Sequence, residues 1–254
     1  MTATGGAPGG QALALENIRG ALARQDETII FGVLERAQFC RNSIIYRKGG
    51  MGPELGEQSL VDYLLHETER AHARVRRYTS PDEHPFFRDL PPPVLPPLAI
   101  DSPLYPNAIN LNDRLRAAYE EEIVPFLCRA GDDGQWGSSG VSDVWLLQSL
   151  SKRIHYGKFV AEGKYRAQPA RFAPLIRAGD RDALLEAVTD RAVEAQVLER
   201  VYHKTDTYGR EVGSAGGQAA VDAAKVRTVY ERWVIPLNKE VQVLYLLGRL
   251  SEFR

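Results

Sequence analysis

A chain of 254 residues, 44% hydrophobic and 26% charged, has the length and mixture to bury a sizeable core. Its formal net charge of −1 gives no overall basic field to gather nucleic acid or an anionic membrane, so bound anions must be held by locally placed cations. Two cysteines, Cys40 and Cys128, make neither a disulfide framework nor a zinc pattern and fit a reducing compartment. No apolar run reaches the about 18 residues of a membrane span.

The first ten residues, MTATGGAPGG, lack the basic start and apolar stretch of a secretory signal and read as a disordered tail before one domain, 11–254. From Gln11 to about Cys40, apolar residues such as Ile18, Leu22, Ile29 and Val33 recur near helical spacing. Gly49–Gly56 breaks the pattern as a loop. A second helix runs from Ser59, its N-cap, to about Tyr78, with Asp62 in the first turn and Arg70, Arg74, Arg76 and Arg77 clustered at its end. Ser80–Asn110 holds nine prolines in 31 residues and cannot be regular helix or central strand. Its Phe86, Phe87, Leu90, Val94, Leu95, Leu98, Ile100 and Tyr105 predict an ordered extended loop packed across helices. Helix is expected over Asn112–Arg129, a loop over Gly131–Gly140, and one continuous helix from Val141 to Tyr165. A short helix, Pro169–Ala178, precedes one capped by Asp180 and running from Arg181 to Lys204. After a loop at Thr205–Gly217, a last helix spans about Gln218–Leu250, kinked by Pro236. The fold class is all-α: a single-domain helical bundle with a long proline-rich ordered loop.

Four helices carry polar groups that sit poorly in a core. In LQSLSKRIHYGKFVAEGKY (147–165), Arg153 and Lys164 are eleven residues apart, three turns plus about 20°, and share one face of a continuous helix. Arg19 lies on the first helix, Asp190 and Glu194 are at i, i+4 on another, and Asn238 and Gln242 are at i, i+4 just after Pro236. If these faces converge, three cations, two acids and two amides suit a small dianion carrying a hydroxyl. Spacing alone also fits a snorkelling Lys164, solvated acids at Asp190 and Glu194, and amides at Asn238 and Gln242 that repair the backbone opened by Pro236.

LENIR (15–19), RRYTSPDEHPFF (76–87), LQSLSKRIHYGKFVAEGKY, AVEAQVLER (192–200) and VIPLNKEVQVLYLLGRL (234–250) together resemble the all-helical chorismate mutases of fungi and plants, in the family's order and over nearly the whole chain. The resemblance implies a homodimer with one active site per subunit, converting chorismate to prephenate on the way to phenylalanine and tyrosine. That pericyclic step needs no nucleophile, metal or cofactor, only restraint of a flexible dianion and stabilisation of charge on the breaking ether oxygen. By resemblance Arg19 and Arg153 hold the carboxylates, Lys164 and Gln242 donate to the ether oxygen, Glu194 accepts from the ring hydroxyl with Asp190 beside it, and Asn238 contacts a carboxylate.

Three positions depart from yeast-like members, which have threonine at Asn238, asparagine at Asp190 and glutamate at Gln242. A glutamine donates at any pH, where a glutamate must first be protonated. The resemblance also implies an effector site for tryptophan and tyrosine between subunits, at Arg76, Arg77, Gly137 and Ser138. Val141 replaces a yeast-like threonine there, and Asp26, Arg200 and Lys204 match charged positions that link interface to active site. The expected location is cytoplasmic, or the plastid stroma after removal of a transit peptide. A non-catalytic helical interaction protein and a secreted mutase are the competing readings; neither a damaged catalytic set nor a signal sequence is visible.

Overall fold

The apolar positions Ile18, Ile29, Ile30, Val33 and Leu34 line one face of α1 (Leu15–Arg36) and are buried, which is why this stretch is helical. A computed structural model describes residues 13–213 and 222–249; the expected tail at 1–10 lies outside them. In α2 (Leu60–Arg74), the Ser59 hydroxyl accepts from the Asp62 N–H at 3.0 Å and the Asp62 carboxylate takes the Ser59 N–H at 3.4 Å, a capping box. The helix stops at Arg74 rather than Tyr78, because Arg76 takes a left-handed conformation (φ 68°).

Two helical stretches widen just before a proline. A π-helical turn, Tyr119–Ile123, joins α3 (Asn112–Ala118) to α4 (Val124–Leu127) ahead of Pro125. Its counterpart, Tyr230–Val234, joins α10 (Ala223–Val229) to α11 (Ile235–Gly248) ahead of Pro236. The wide turn carries the preceding carbonyls clear of the proline ring.

Between these pairs lie α5 (Trp136–His155), α6 (Gly157–Ala167), α7 (Pro169–Ala178), α8 (Arg181–Val188) and α9 (Arg191–Gly213). The single helix expected over Val141–Tyr165 is therefore two, broken at Tyr156, and it starts earlier, so Gly137 and Ser138 occupy the first turn of α5 instead of a loop. The helix expected over Arg181–Lys204 is also two. Asp190 caps the second, its Oδ1 accepting from the Val193 N–H at 3.1 Å, and α9 runs on to Gly213 through much of the predicted loop.

The main core gathers on α5, where Leu146, Leu147, Leu150 and Ile154 meet Ile29, Ile30 and Val33 of α1, Val201 of α9 and Val241 of α11. A second cluster, with Ala161, Phe172, Ile176, Leu184, Val188 and Leu246, ties α6, α7, α8 and α11 together at the other end. Among the described residues no strand forms, and no helix is long and apolar enough to cross a membrane.

The proline-rich loop is extended and anchored at both ends, as expected. The Glu69 carboxylate accepts the backbone N–H groups of Phe86 and Phe87, and Asn112 Nδ2 donates to the carbonyls of His84 and Pro85. Lys158 Nζ donates to the Ile109 carbonyl and to His84 Nε2, both at 2.6 Å, while the His84 ring stacks on His155. Burial pushes Lys158 down to about 8, His155 down to about 4 and His84 well below the usual imidazole range, so both histidines stay neutral near pH 7. The middle of the loop departs from expectation: Val94 N–H donates to the Arg74 carbonyl at 2.9 Å, but the side chains of Val94, Leu95, Leu98 and Ile100 are exposed.

Candidate active site

A cavity of about 580 Å3 opens between α1, α6, α7 and the junction of α8 with α9. Arg19, Lys164, Arg171 and Arg191 line it against Glu186 and Asp190, with Leu15, Ile18, Val160 and Phe172 as apolar walls. Four cations facing two carboxylates make a local positive field in a chain of net charge −1. The break between α8 and α9 builds one wall: α8 ends at Val188, leaving its carbonyl without a helical partner, and Lys164 Nζ donates to it.

Lys164 also donates to Gln242 Oε1 at 3.1 Å, and Gln242 Nε2 donates to Asn238 Oδ1 at 2.9 Å. Burial pulls the ammonium down to about 8; Asp190 and Glu194 oppose this, while Arg171 and Lys239 add to it. Its charge is thus retained near pH 7 but weakly held.

Of the sequence-predicted residues, Arg19, Lys164 and Asp190 stand on the cavity wall, and Gln242 and Asn238 follow directly behind Lys164. Glu194 lies one turn beyond Asp190 and pairs with Lys239 at 3.1 Å. Arg153 is absent from the lining. Its Nε donates to Asp26 Oδ1 at 2.7 Å, and Asp26 takes Arg200 on its other oxygen at 2.7 Å. The break at Tyr156 removes the continuous face on which Arg153 and Lys164 were expected to align. Asn238 also differs from expectation: its Nδ2 donates to the carbonyls of Arg153 and Ile154, each at 3.1 Å, so its amide serves the end of α5.

Sequence reasoning missed Gln168, Arg171, Glu186, Thr189 and Arg191 on the wall. The signal for the last two was present: aspartate at 190 before an apolar-periodic stretch is an N-cap, and it divides the helix there.

The four expected effector residues occupy two places. Arg77 donates to Glu83 at 3.0 Å and to Gln148 at 3.1 Å, and Arg76 donates to the Pro96 carbonyl. Gly137 and Ser138 are exposed at the start of α5, about 16 Å up that helix from Gln148. Val141 is exposed beside them.

No nucleophile with an attendant base stands on this wall. What it offers is a cation-rich pocket with a lysine and an amide side by side, suited to holding a small dianion and stabilising developing charge. Residues 141–243 match the family described as chorismate mutase type II. A chorismate mutase of Schizosaccharomyces pombe is 46% identical over 243 residues, 94% of this chain and 97% of that protein. The crystal structure of AtCM1 with tyrosine bound in its allosteric site aligns with a TM-score of 0.85 at 46% identity, covering 94% of this chain and 97% of that one. Aro7p chorismate mutase from Candida albicans, in complex with L-Trp, aligns with a TM-score of 0.90 at 36% identity, over 96% and 94% of the two chains. Identity at this level along nearly the full length, on the same helical scaffold, places the chain in the chorismate mutase family of fungi and plants, as an isomerase that converts chorismate to prephenate.

Proposed function

We propose that the rearrangement takes place in the cavity walled by Arg19, Lys164 and Asp190, and the observation that carries this is the Lys164–Gln242 pair at the cation-rich wall. Arg19 holds one carboxylate from the exposed side. Arg153 takes the second through its two Nη groups, since only its Nε is bound to Asp26. Lys164 and Gln242 donate to the ether oxygen as its bond to the ring breaks, and Glu194 accepts from the ring hydroxyl. Asp190 caps α9 and holds Lys164 charged instead of touching substrate. A chorismate-disappearance assay tests the assignment: Lys164→Ala should lower kcat by about 100-fold or more, the usual cost of one such donor. Equal rates for variant and wild type would refute it.

The enzyme also carries an aromatic amino acid effector site, tryptophan and tyrosine being the candidates, shared between the subunits of a homodimer. Support comes from the solved relatives holding tyrosine and L-Trp, and from the separation of Arg76 and Arg77 from Gly137 and Ser138 within one chain. A second copy related by a two-fold axis can join the two halves. We place the enzyme in the cytoplasm, which the two free cysteines suit.

A further inference from the structure

Asn238 and Gln242 lie one turn apart on α11, both buried. The Asn238 Nδ2 donates to the Arg153 and Ile154 carbonyls, each at 3.1 Å. These belong to the last turn of α5, where a helix end leaves carbonyls in need of donors. Turned over, the amide would set its Oδ1 against these two carbonyl oxygens, so it keeps this orientation. Its Oδ1 is left facing Gln242 and accepts from Gln242 Nε2 at 2.9 Å. That fixes the second amide in turn, sending Gln242 Oε1 toward Lys164 Nζ at 3.1 Å. Gly157 permits the close approach, because a Cβ there would come within 2.6 Å of the Asn238 carbonyl oxygen and 3.1 Å of its Nδ2.

We propose that Asn238 is a positioning residue for the reaction: locked by the end of α5, it sets the direction of the Gln242 amide, so that the second Nε2 hydrogen of Gln242 and an ammonium hydrogen of Lys164 are presented together to the breaking ether bond. The proposal rests on the site assignment above. It replaces the contact between Asn238 and a substrate carboxylate, because the NH2 group is turned to the end of α5. It also makes Asn238 and Gln242 one unit, in which changing either alters what the other can do.

A double-mutant cycle tests this, with kcat and KM for chorismate measured on wild type, Asn238→Ala, Gln242→Ala and the double variant. Asn238→Ala should lower kcat by about 10- to 100-fold, the cost of a misplaced donor. In the Gln242→Ala background the same change should cost less than about twofold. A large rise in KM for Asn238→Ala, with its cost undiminished when Gln242 is gone, would overturn the proposal and return Asn238 to substrate binding. If Asn238→Ala does not fold, Asn238→Ser keeps one donor for the carbonyls and is read in the same cycle.

A pH profile separates positioning from a merely structural role. In Gln242→Glu the new carboxyl faces an Oδ1 that cannot turn away, so it must keep its proton to bond there. Removing that acceptor, in Asn238→Ala with Gln242→Glu, leaves the carboxyl beside Lys164, which favours its ionised form. The other charges near Lys164, on Asp190 and Glu194 of α9, Arg171 of α7 and Lys239 of α11, are the same in both variants. The midpoint at which kcat/KM falls with rising pH should therefore move down by about one unit. An unmoved midpoint would overturn the proposal. Undiminished activity in Lys164→Ala would instead sink the site assignment itself, so the two failures are distinguishable.

Discussion

Burial pulls the Lys164 ammonium down to about 8, more than two units below an ordinary lysine, and under the proposed role this residue limits activity at high pH. In the proposed mechanism the charged form stabilises the ether oxygen, and that form is full below the shifted value and lost above it. Gln242 adds no titration of its own in this range. We expect kcat/KM to be level from about pH 5 to pH 7.5 and to fall tenfold per unit above about pH 8. For kcat the fall should lie at higher pH, because the bound dianion favours the ammonium as Asp190 and Glu194 do. Stopped-flow or initial-rate profiles in chorismate over pH 5–10 check this, and a kcat/KM that stays level to about pH 9.5 would contradict it. The residues themselves were legible from the sequence, Lys164 and Gln242 through spacing and resemblance. Their partners were less so. Asp26 meets Arg153 across 127 residues of chain, a pairing no local pattern encodes, and the orientation of Asn238 depends on a helix end supplied by another element.

Helix breaks decide how these side chains are aimed. Helical periodicity runs through Tyr156 and through Asp190 without a proline to interrupt it, so both segments read as continuous until Asp190 is taken as an N-cap. The first break follows instead from packing: α11 presses onto Gly157, and the α5 carbonyls there are satisfied by the Asn238 side chain. Gly157→Ala tests this contact. The added Cβ would meet a backbone oxygen, which cannot rotate away, as well as Val241 Cγ1 at 3.2 Å. We expect a loss of stability of about 1–3 kcal/mol from overpacking, read as a lower urea midpoint. We also expect a fall in kcat greater than the fall in folded fraction, as α11 backs away from Lys164. A variant with wild-type midpoint and kcat would show that the α6–α11 approach does not depend on the missing Cβ at 157. The proline-rich loop teaches a related lesson. Its composition told that it is ordered, but not that Glu69 and Asn112 grip its first part while Val94, Leu98 and Ile100 remain exposed.

For the whole molecule the question is whether one chain suffices for regulation. Arg77 sits against Gln148 of α5, one turn from Lys152, and Lys152 pairs with Asp82 and Glu83 at the start of the proline-rich loop. Arg153, the next residue, pairs with Asp26 of α1, so Arg77 and Arg153 are held at neighbouring turns of α5. Gly137 and Ser138 lie at the far end of the same helix, too distant to join Arg77 on one ligand within a chain. A shared site makes a prediction that no single-chain site makes. Arg77→Ala should remove the response of activity to tryptophan and tyrosine by removing one half. Gly137→Trp should remove it by blocking the other half, and a Cβ at 137 meets nothing within 4 Å, so the new side chain has room to leave the helix. Unfolding and refolding the two variants together should restore a response, because in a mixed dimer one site draws Arg77 and Gly137 from the two unaltered halves. With random pairing, half the dimers are mixed and each has one intact site, so effector binding by calorimetry should return to about a quarter of the wild-type stoichiometry. No recovery on mixing, with each parent separately unresponsive, would place the effector site within one chain.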